Sequence, residues 1–428
     1  MQREKRRAGA DTEPEICLDL KFKRRKRHRS RRRDPEKLRR MQMLRLFVLL
    51  CALSICAGTA AFWLYSGEKR SGQSGNSSRL AENEQNNTQT TVRDTAQTLV
   101  QIESAEEEKR TVRLLFGGDV YLSSYVLEAY DQAGGINGLL DETYRAEIEA
   151  ADLFIVNQEF PFSERGTPAA DKSFTFRLPP ERAGILKELG IDLCVLANNH
   201  VLDYGREALS DTLQTLDERG IKHIGAGNDL KEARQAYIAE IGGQKFGFLA
   251  ASRVAPDTGW SAGAERPGVL LAYDPSALLQ EVRELRTKCD HLIVYMHWGV
   301  EREETPRAEI RALAHSIADA GADLIVGAHP HVLQGAELYQ GTPIIYSLGN
   351  FLFGSSIPRT MLLRAEFQPG TRAPKLSLLP GTGSMGRTVS FSKNAQAAFY
   401  AYYEDISSEI SVNQDGSLVT VSEKEVLP

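Results

Sequence analysis

From Thr111 onward, short apolar runs alternate with helical stretches, and five of these runs end at side chains of the types that bind metals. Such alternation is typical of an α/β fold. The expected strands span residues 112–116, 153–156, 191–196, 291–296 and 323–326. Because α/β sheets gather their functional loops at the carboxyl ends of their strands, we expect the side chains after these runs to share one crevice.

The stretches between these strands carry helical periodicity. They span residues 181–190, 207–219, 275–287 and 306–320. The second and fourth end near Gly220 and Gly321, and glycine is the usual residue at the left-handed position after a helix. We therefore expect a domain over residues 111–360. Residues 361–428, with two strand-like runs and a possible helix over 394–406, are expected to complete that domain without supplying ligands.

The charge of the chain is unevenly distributed. Residues 1–43 hold 17 Lys and Arg against 7 Asp and Glu, which leaves 35 basic and 50 acidic residues, a formal charge of −15, in the rest. This basic head lacks interleaved aromatic residues, and attraction to anionic lipid explains it more simply than binding to nucleic acid. The five cysteines lack the spacing of a zinc finger or a disulfide framework.

An apolar segment follows the basic head. Residues 46–65 contain no charge, and 20 residues of helix match the thickness of a bilayer core. We predict a single transmembrane helix over 44–65, with the basic tail of 1–43 in the cytoplasm and the body outside the cell. A cleaved secretory signal is the alternative, although a preceding segment of more than 40 residues is long for one. Residues 66–110 are polar and predict a disordered linker.

The polar residues after the strands form a mixed oxygen and nitrogen set without thiolates. Such a set suits Mn, Fe, Co or Zn better than Ca or Mg. Each member alone has a simpler interpretation: a single histidine after a strand is commonly structural, and Asp119 fits a helix N-cap. The metal hypothesis therefore depends on the whole set. Its members are Asp119, Glu159, Asn199, His200, His297, His329 and His331.

Six motifs in this order resemble those of the CapA-type poly-γ-glutamate capsule biosynthesis proteins, over about residues 111–353. They are Phe116-Gly-Gly-Asp119-Val, Asn157-Gln-Glu159-Phe-Pro161, Ala197-Asn-Asn199-His200-Val-Leu-Asp203-Tyr-Gly205, His297-Trp-Gly-Val-Glu301, Gly-Ala-His329-Pro-His331-Val-Leu-Gln334 and Tyr346-Ser-Leu-Gly-Asn350-Phe351. That family is similar in turn to the calcineurin-like metallophosphoesterases. The resemblance implies a sandwich of two sheets flanked by helices around one or two divalent metal ions.

The same resemblance implies roles for individual residues. The implied metal ligands are Asp119, Glu159, Asn199, His297, His329 and His331. Tyr121 stands where the phosphoesterases carry a further ligand histidine, and Glu159 replaces a shorter carboxylate. We therefore expect one metal to be held by Asn199, His297, His329 and the shared Glu159, and a second, weaker one by Asp119, His331 and Glu159.

Two functions are compatible with such a site. In a metallohydrolase of the phosphoesterase type, a metal-activated water attacks the substrate and His200 protonates the leaving oxygen. Asp203 then either orients His200 or caps a helix. The pocket candidates are Glu301, Gln334 and Asn350.

The alternative is a non-catalytic factor, working with polymer-synthase or export subunits, that binds an anionic polymer through the metal. Because the body is acidic, such binding would need local bases. The candidates are Arg177, Arg253 and Arg302.

Overall fold

The structure is a computed structural model that describes residues 109–170 and 172–421. The predicted basic tail, the predicted membrane helix and nearly all of the predicted linker lie outside the described residues. Within the described ranges, no helix is both long enough and apolar enough to cross a membrane.

Eighteen strands occur in the described residues. They are β1 (Val112–Val120), β2 (Leu153–Gln158), β3 (Leu193–Val195), β4 (Lys222–Ile224), β5 (Ala226–Gly227), β6 (Tyr237–Ile241), β7 (Gln244–Ser252), β8 (Gly268–Val269), β9 (His291–His297), β10 (Leu324–Ala328), β11 (Leu333–Tyr339), β12 (Thr342–Leu348), β13 (Asn350–Leu352), β14 (Ser356–Phe367), β15 (Lys375–Ser384), β16 (Arg387–Ser390), β17 (Ile410–Val412) and β18 (Leu418–Thr420).

Eight α-helices accompany these strands in the same part of the chain. They are α1 (Ser124–Ala133), α2 (Glu142–Glu149), α3 (Gly184–Glu188), α4 (Gly205–Arg219), α5 (Leu230–Ala233), α6 (Ser276–Arg286), α7 (Ala308–Asp319) and α8 (Lys393–Asp405).

Two large sheets carry the fold. The first has the order β16-β15-β14-β1-β2-β3-β4, with β13 also paired to β1, and the second has the order β11-β12-β10-β9-β7-β6. The central pairs are parallel: β1 with β2, β2 with β3, β7 with β9, and β9 with β10. Their carboxyl ends therefore point the same way within each sheet, which is the arrangement expected for converging loops.

The two sheets pack face to face around an apolar layer. Phe116 and Ile155 of the first sheet share one buried cluster with Phe246, Ile293 and Val326 of the second. Helices cover both outer faces. Leu209, Leu213 and Leu216 of α4 pack on the first sheet, and Leu278, Val282, Leu313 and Ile317 of α6 and α7 pack on the second. The predicted α/β sandwich of two sheets between helices fits this architecture.

The central strands are buried on both faces, which explains their sequence pattern. Every residue of β2, β9 and β10 is buried. A strand covered on both sides reads as a continuous apolar run rather than an alternating one. Each of the five expected strands is present, although its bounds differ by a few residues.

The predicted helices are present with one difference in type. The segment 181–190 is a 3₁₀ turn (Pro180–Ala183) that continues into the short α3. Gly220 has the left-handed conformation expected after α4, with φ +67°. After α7, however, the C-cap is Ala320, and Gly321 follows it with φ +119°.

The C-terminal part of the described chain adds strands to the first sheet and a helix to the core. β14 pairs with β1, β15 with β14, and β16 with β15. Phe399, Tyr400 and Tyr403 of α8 join the apolar cluster between the two sheets. This segment therefore extends the first sheet and adds apolar side chains to the core.

Candidate metal centre

The carboxyl ends of five strands place the predicted ligands in one region. The end of β1 carries Asp119, and Glu159 directly follows β2. Asn199 and His200 lie in the loop after β3, and His297 is the last residue of β9. The loop after β10 carries His329 and His331. The sequence-based prediction that these strand ends converge agrees with the distances below.

The first group of potential ligands is Glu159, His297 and His329, whose ligand atoms all lie within 4.8 Å of one another. His297 Nε2 is 3.6 Å from Glu159 Oε1. Asn199 joins this group, because its Oδ1 lies 2.7 Å from His297 Nε2. The four residues are those expected from the sequence to hold one metal together.

The second group is Asp119, Glu159 and His331, again with ligand atoms within 4.8 Å of one another. His331 Nδ1 lies 3.4 Å from Asp119 Oδ2, and His331 Nε2 lies 3.9 Å from Glu159 Oε1. Glu159 belongs to both groups. The sequence analysis expected two metals to share this carboxylate, and that role stays a prediction.

Several polar atoms of the first group have no hydrogen-bond partner among the described residues. They are both carboxylate oxygens of Glu159 and the Nδ1 atoms of His297 and His329, all buried. A buried polar atom without a partner costs free energy, and a buried carboxylate needs a compensating positive charge. Carboxylate oxygens and imidazole nitrogens are the atoms that borderline divalent metals prefer. The two unpartnered oxygens of Glu159, with the imidazole and amide groups around them, therefore fit a divalent cation.

The pKa values of the potential ligands are shifted by burial and by the charges of their neighbours. Burial, reinforced by the Asp119 carboxylate, raises the pKa of Glu159. Burial and the neighbouring His329 lower the pKa of His297, and burial together with His331 lowers the pKa of His329 to about 3. Burial also opposes a charge on His331, but the carboxylates of Glu159 and Asp119 outweigh it and raise its pKa to about 10. In the metal-free protein a protonated His331 offsets part of the charge of these carboxylates, and a cation that takes His331 as a ligand would replace that proton.

The backbone around the centre is constrained at three places. His329 and His331 have φ of +100° and +58°, values that residues other than glycine rarely adopt. Strained backbone of this kind is concentrated at functional sites. Gly118 precedes Asp119, and a Cβ atom there would lie 1.8 Å from the carbonyl oxygen of Gly349. Only glycine lets this part of β1 approach the main chain at Gly349 so closely.

His200 and Asp203 form a buried pair beside the two ligand groups. His200 Nδ1 lies 2.7 Å from Asp203 Oδ2. The other ring nitrogen, Nε2, lies 4.0 Å from Glu159 Oε1 and so faces the potential ligands. Asp203 does not cap α4: the N-cap of that helix is Tyr204, which has no side-chain capping bond. Of the two alternatives for Asp203, the orientation of His200 is the one that fits the contacts.

Lys172 is a member of the site that sequence reasoning missed. Its ammonium group donates hydrogen bonds to the carbonyl oxygen of Asn199 and to Oδ1 of Asp203, and it lies 2.9 Å from His200 Nδ1. Burial lowers the pKa of Lys172, although the Asp203 carboxylate opposes that shift. A lysine in a long loop between two elements carries no local signal of burial, so only the fold reveals it.

Two asparagines that the sequence analysis did not assign hold the ligand loops together. Asn157 donates to Asp119 Oδ1 at 2.8 Å. Asn198 donates to Asn157 Oδ1 at 3.1 Å, and its own Oδ1 accepts from the main-chain N–H groups of His200 and Val201, each at 3.0 Å. This amide network links the ends of three neighbouring strands. Both asparagines lie within the quoted motifs, which was the available signal.

The three pocket candidates lie in different surroundings. Asn350 is half-buried, and its Oδ1 is 2.8 Å from His331 Nδ1, so it contacts a potential ligand directly. Gln334 is buried and donates to the carbonyl oxygen of Glu303 at 2.7 Å, while its Oε1 has no partner in the described residues. Glu301 is exposed and interacts electrostatically with Lys172.

Comparison with known proteins agrees with the motifs. Residues 113–355 match the family described as "Bacterial capsule synthesis protein PGA_cap". The chain is 34% identical over 247 residues to the "PGA biosynthesis protein CapA" of Bacillus subtilis (strain 168), which covers 57% of this chain and 64% of that protein. It is 31% identical over 269 residues to the "Capsule biosynthesis protein CapA" of Bacillus anthracis, covering 60% of this chain and 63% of that protein.

A "Probable polyglutamine synthesis accessory protein" of Mycobacterium tuberculosis (strain CDC 1551 / Oshkosh) is 33% identical over 213 residues, covering 48% of this chain and 56% of that protein. The chain thus spans less than two thirds of the length of these relatives. Among solved structures, a 5'-nucleotidase from Candida albicans SC5314 has a TM-score of 0.37 at 10% identity, covering 74% of this chain and 57% of that one.

The family match covers more than half of the chain and includes all of the potential ligands described above. The resemblance seen in the six motifs is therefore confirmed. The chain belongs to the bacterial capsule synthesis family PGA_cap.

Proposed function

We propose that this chain acts in capsule or envelope polymer biosynthesis through a metal-dependent, hydrolase-like site. The observation that carries the proposal is the position of Glu159. Its carboxylate belongs to both ligand groups and lies 4.0 Å from His200 Nε2. A proton-transfer group is thus held beside the atoms that would bind metal, which is the arrangement that general acid–base catalysis requires.

Asn199, Glu159, His297 and His329 would hold one divalent cation, and Asp119, His331 and Glu159 a second. A divalent cation supplies Lewis-acid chemistry there, polarising a phosphoryl or carbonyl oxygen and stabilising negative charge that develops on it.

The remaining steps belong to the protein's own side chains. His200 holds a proton at Nε2 for the leaving oxygen, and Asp203 keeps the ring oriented through Nδ1, 2.7 Å away. Burial lowers the pKa of His200, although Asp203 opposes that shift. The Asp203 carboxylate thus favours the protonated ring that the acid role requires, against the effect of burial.

Metal analysis combined with a substrate screen tests this proposal. The full-length chain loaded with Mn is expected to hydrolyse an activated phosphodiester such as bis(p-nitrophenyl) phosphate. His200→Ala should lower the rate of that hydrolysis by about 100-fold or more. The matched control is His315→Ala, because His315 lies on α7 and contacts Glu337 and Tyr339 instead of the centre. Equal activity of the His200→Ala and unsubstituted proteins would refute the catalytic role.

A non-catalytic role in export or attachment of an anionic polymer is the second candidate. The names of the relatives favour it, since one is called an accessory protein of polyglutamine synthesis. Of the three candidate bases, Arg177 stacks on Tyr204 and Arg253 donates to the carbonyl oxygens of Ala272 and Tyr273. Binding of γ-linked glutamate oligomers without turnover of either phosphoesters or γ-glutamyl bonds would favour this role.

We further propose that residues 44–65 anchor the chain in the cell membrane, with the N-terminus in the cytoplasm and the body outside, beside polymer-synthase or export subunits. The basic flank and the uncharged stretch of 20 residues support this topology. Protease added to intact cells should then degrade the body and spare the head. Recovery of an intact body after that treatment would contradict the topology.

A further inference from the structure

Lys172 enters the candidate metal centre from the loop between β2 and α3, and its side chain is only 12% exposed. The ammonium group has three close neighbours: the carbonyl oxygen of Asn199, Oδ1 of Asp203 and Nδ1 of His200. Two of its N–H donors bond the Asn199 and Asp203 oxygens, and His200 Nδ1, which bonds Asp203 Oδ2 at 2.7 Å, is a third polar neighbour. Lys172 is therefore part of the interior of the site.

The contacts of Lys172 fall at both ends of the segment 199–203. At one end, it holds the main-chain carbonyl of Asn199, whose side-chain Oδ1 lies 2.7 Å from His297 Nε2. At the other end, it holds Oδ1 of Asp203, while the main-chain N–H of Phe176 donates to Oδ2 at 2.7 Å. A potential ligand and the candidate acid both project from the backbone that Lys172 holds.

The charge of Lys172 matters as much as its hydrogen bonds. Asp203 is completely buried, and a buried carboxylate is stable only when it is paired and hydrogen-bonded. Lys172 supplies the opposite charge at Oδ1. Without it, Asp203 would retain only the Phe176 N–H and His200 as partners, and its buried charge would lose the cation that pairs with it.

We propose that Lys172 is a positioning residue of the metal centre: by fixing the Asn199 carbonyl and the Asp203 carboxylate, it directs Nε2 of His200 toward the potential ligands. The consequence for turnover rests on the proposed function, whereas the position of the ring does not. A lysine suits this place because its compact ammonium bonds two separate oxygens, the Asn199 carbonyl and the Asp203 carboxylate, and needs less space than a planar guanidinium.

Turnover provides the first test. In the full-length, metal-loaded chain, Lys172→Met should lower kcat by about 100-fold and leave KM within about threefold, because the acid is misplaced but the substrate still binds. The double variant with His200→Ala should be no worse than His200→Ala alone, since residues that act as a unit are not additive. Lys187→Met is the control, because Lys187 is an exposed residue of α3. Additive losses in the double variant would overturn the proposal.

Nuclear magnetic resonance of ¹⁵N-labelled histidine gives a test that needs no turnover. The ring-nitrogen resonances of His200 should shift in Lys172→Met and stay in place in Lys187→Met. If Lys172→Met does not fold, Lys172→Gln serves as the second variant, with the same expected shift. Unchanged His200 resonances in a folded Lys172 variant would overturn the inference, whether or not the protein hydrolyses any substrate.

Discussion

The ring of Tyr121 stacks on the ring of Phe176, with centroids 4.0 Å apart and planes inclined by 18°. Phe176 stacks in turn on the imidazole of His200, with centroids 4.2 Å apart. Phe353 closes this aromatic group from the side, 5.5 Å from Tyr121 and 5.0 Å from His331. The residue that stands in place of an expected ligand histidine therefore lies in an aromatic wall beside the centre.

Substitution of Tyr121 tests whether this aromatic residue occupies a position from which a histidine would bind metal. Tyr121→His should strengthen metal binding by the Asp119, Glu159 and His331 group, because it adds an imidazole where that group has few ligands. The lost stacking should lower the free energy of unfolding by about 0.5–1.5 kcal/mol. Calorimetric metal titration and chemical denaturation measure the two effects. The control is Tyr121→Phe, which keeps the stack and should bind metal as the unsubstituted chain does.

Unequal occupancy of the two ligand groups is a second prediction. The group of Asn199, Glu159, His297 and His329 offers four ligands, whereas the other offers three. Dilute, chelator-washed protein should therefore retain one tightly held metal per chain, and a second should bind only at higher metal concentration. Metal content measured by mass spectrometry after dialysis gives the stoichiometry. Two metals retained equally would contradict this expectation.

Single substitutions separate the two groups. His329→Ala should release the tight metal, and His331→Ala should abolish only the weak one. Glu159→Gln should weaken both, because its carboxylate is common to the two groups. If His329→Ala and His331→Ala had the same effect on both metals, the division into two groups would be wrong.

Metal binding should depend on pH through His331. Its pKa is raised to about 10 by the carboxylates of Glu159 and Asp119, against the effect of burial, so the metal-free protein carries a proton there at neutral pH. A metal that takes His331 as a ligand must displace that proton. Its affinity should therefore rise with pH below about 10, by up to about tenfold per pH unit. Titration calorimetry in buffers of different ionisation enthalpy counts the released protons.

The variant His331→Asn removes the titrating ring and should remove its part of that pH dependence, which leaves the part that comes from Glu159, whose pKa is also raised by burial. His329 has its pKa lowered to about 3, so its ring is already neutral and releases no proton at neutral pH. An affinity of the weak group that stays constant between about pH 7 and about pH 9 would contradict the prediction.

The strand ends could be predicted from the sequence because local patterns encode them. An apolar run that stops at Asp119 or His297 indicates both a buried strand and the position of its carboxyl end. Parallel strands bring such ends together. Lys172 could not be predicted in this way. Its burial depends on the path of a loop after β2 and on contacts with Asn199 and Asp203, which are 27 and 31 positions away.

The type of helix, like the burial of Lys172, could not be predicted from the local sequence. The segment 181–190 has helical periodicity, yet it divides into a 3₁₀ turn and the short α3. Pro179 and Pro180 both precede the α-helical part, and proline cannot donate a main-chain hydrogen bond within a helix. Local composition thus identified a helical segment, whereas its hydrogen-bonding pattern depends on how it packs.

Tyr403 of α8 allows a test of how the C-terminal segment stabilises the domain. The ring is completely buried in the apolar cluster between the sheets, but its hydroxyl has no hydrogen-bond partner in the described part of the chain. An unpaired buried hydroxyl costs free energy, so Tyr403→Phe should leave the free energy of unfolding unchanged or raise it by up to about 1 kcal/mol. Tyr403→Ala removes the ring and should lower it by about 3–5 kcal/mol.

Urea denaturation of the metal-free protein measures both changes, with the midpoint read at constant slope. Metal stoichiometry serves as the control measurement. Tyr403→Phe should leave it unaltered, because the ligand groups found in the described residues include no residue after His331. A loss of more than about 1 kcal/mol in Tyr403→Phe would mean that the hydroxyl is satisfied by a buried water. α8 would then stabilise the core through a polar contact as well as through the apolar surface that Phe399 and Tyr403 bury.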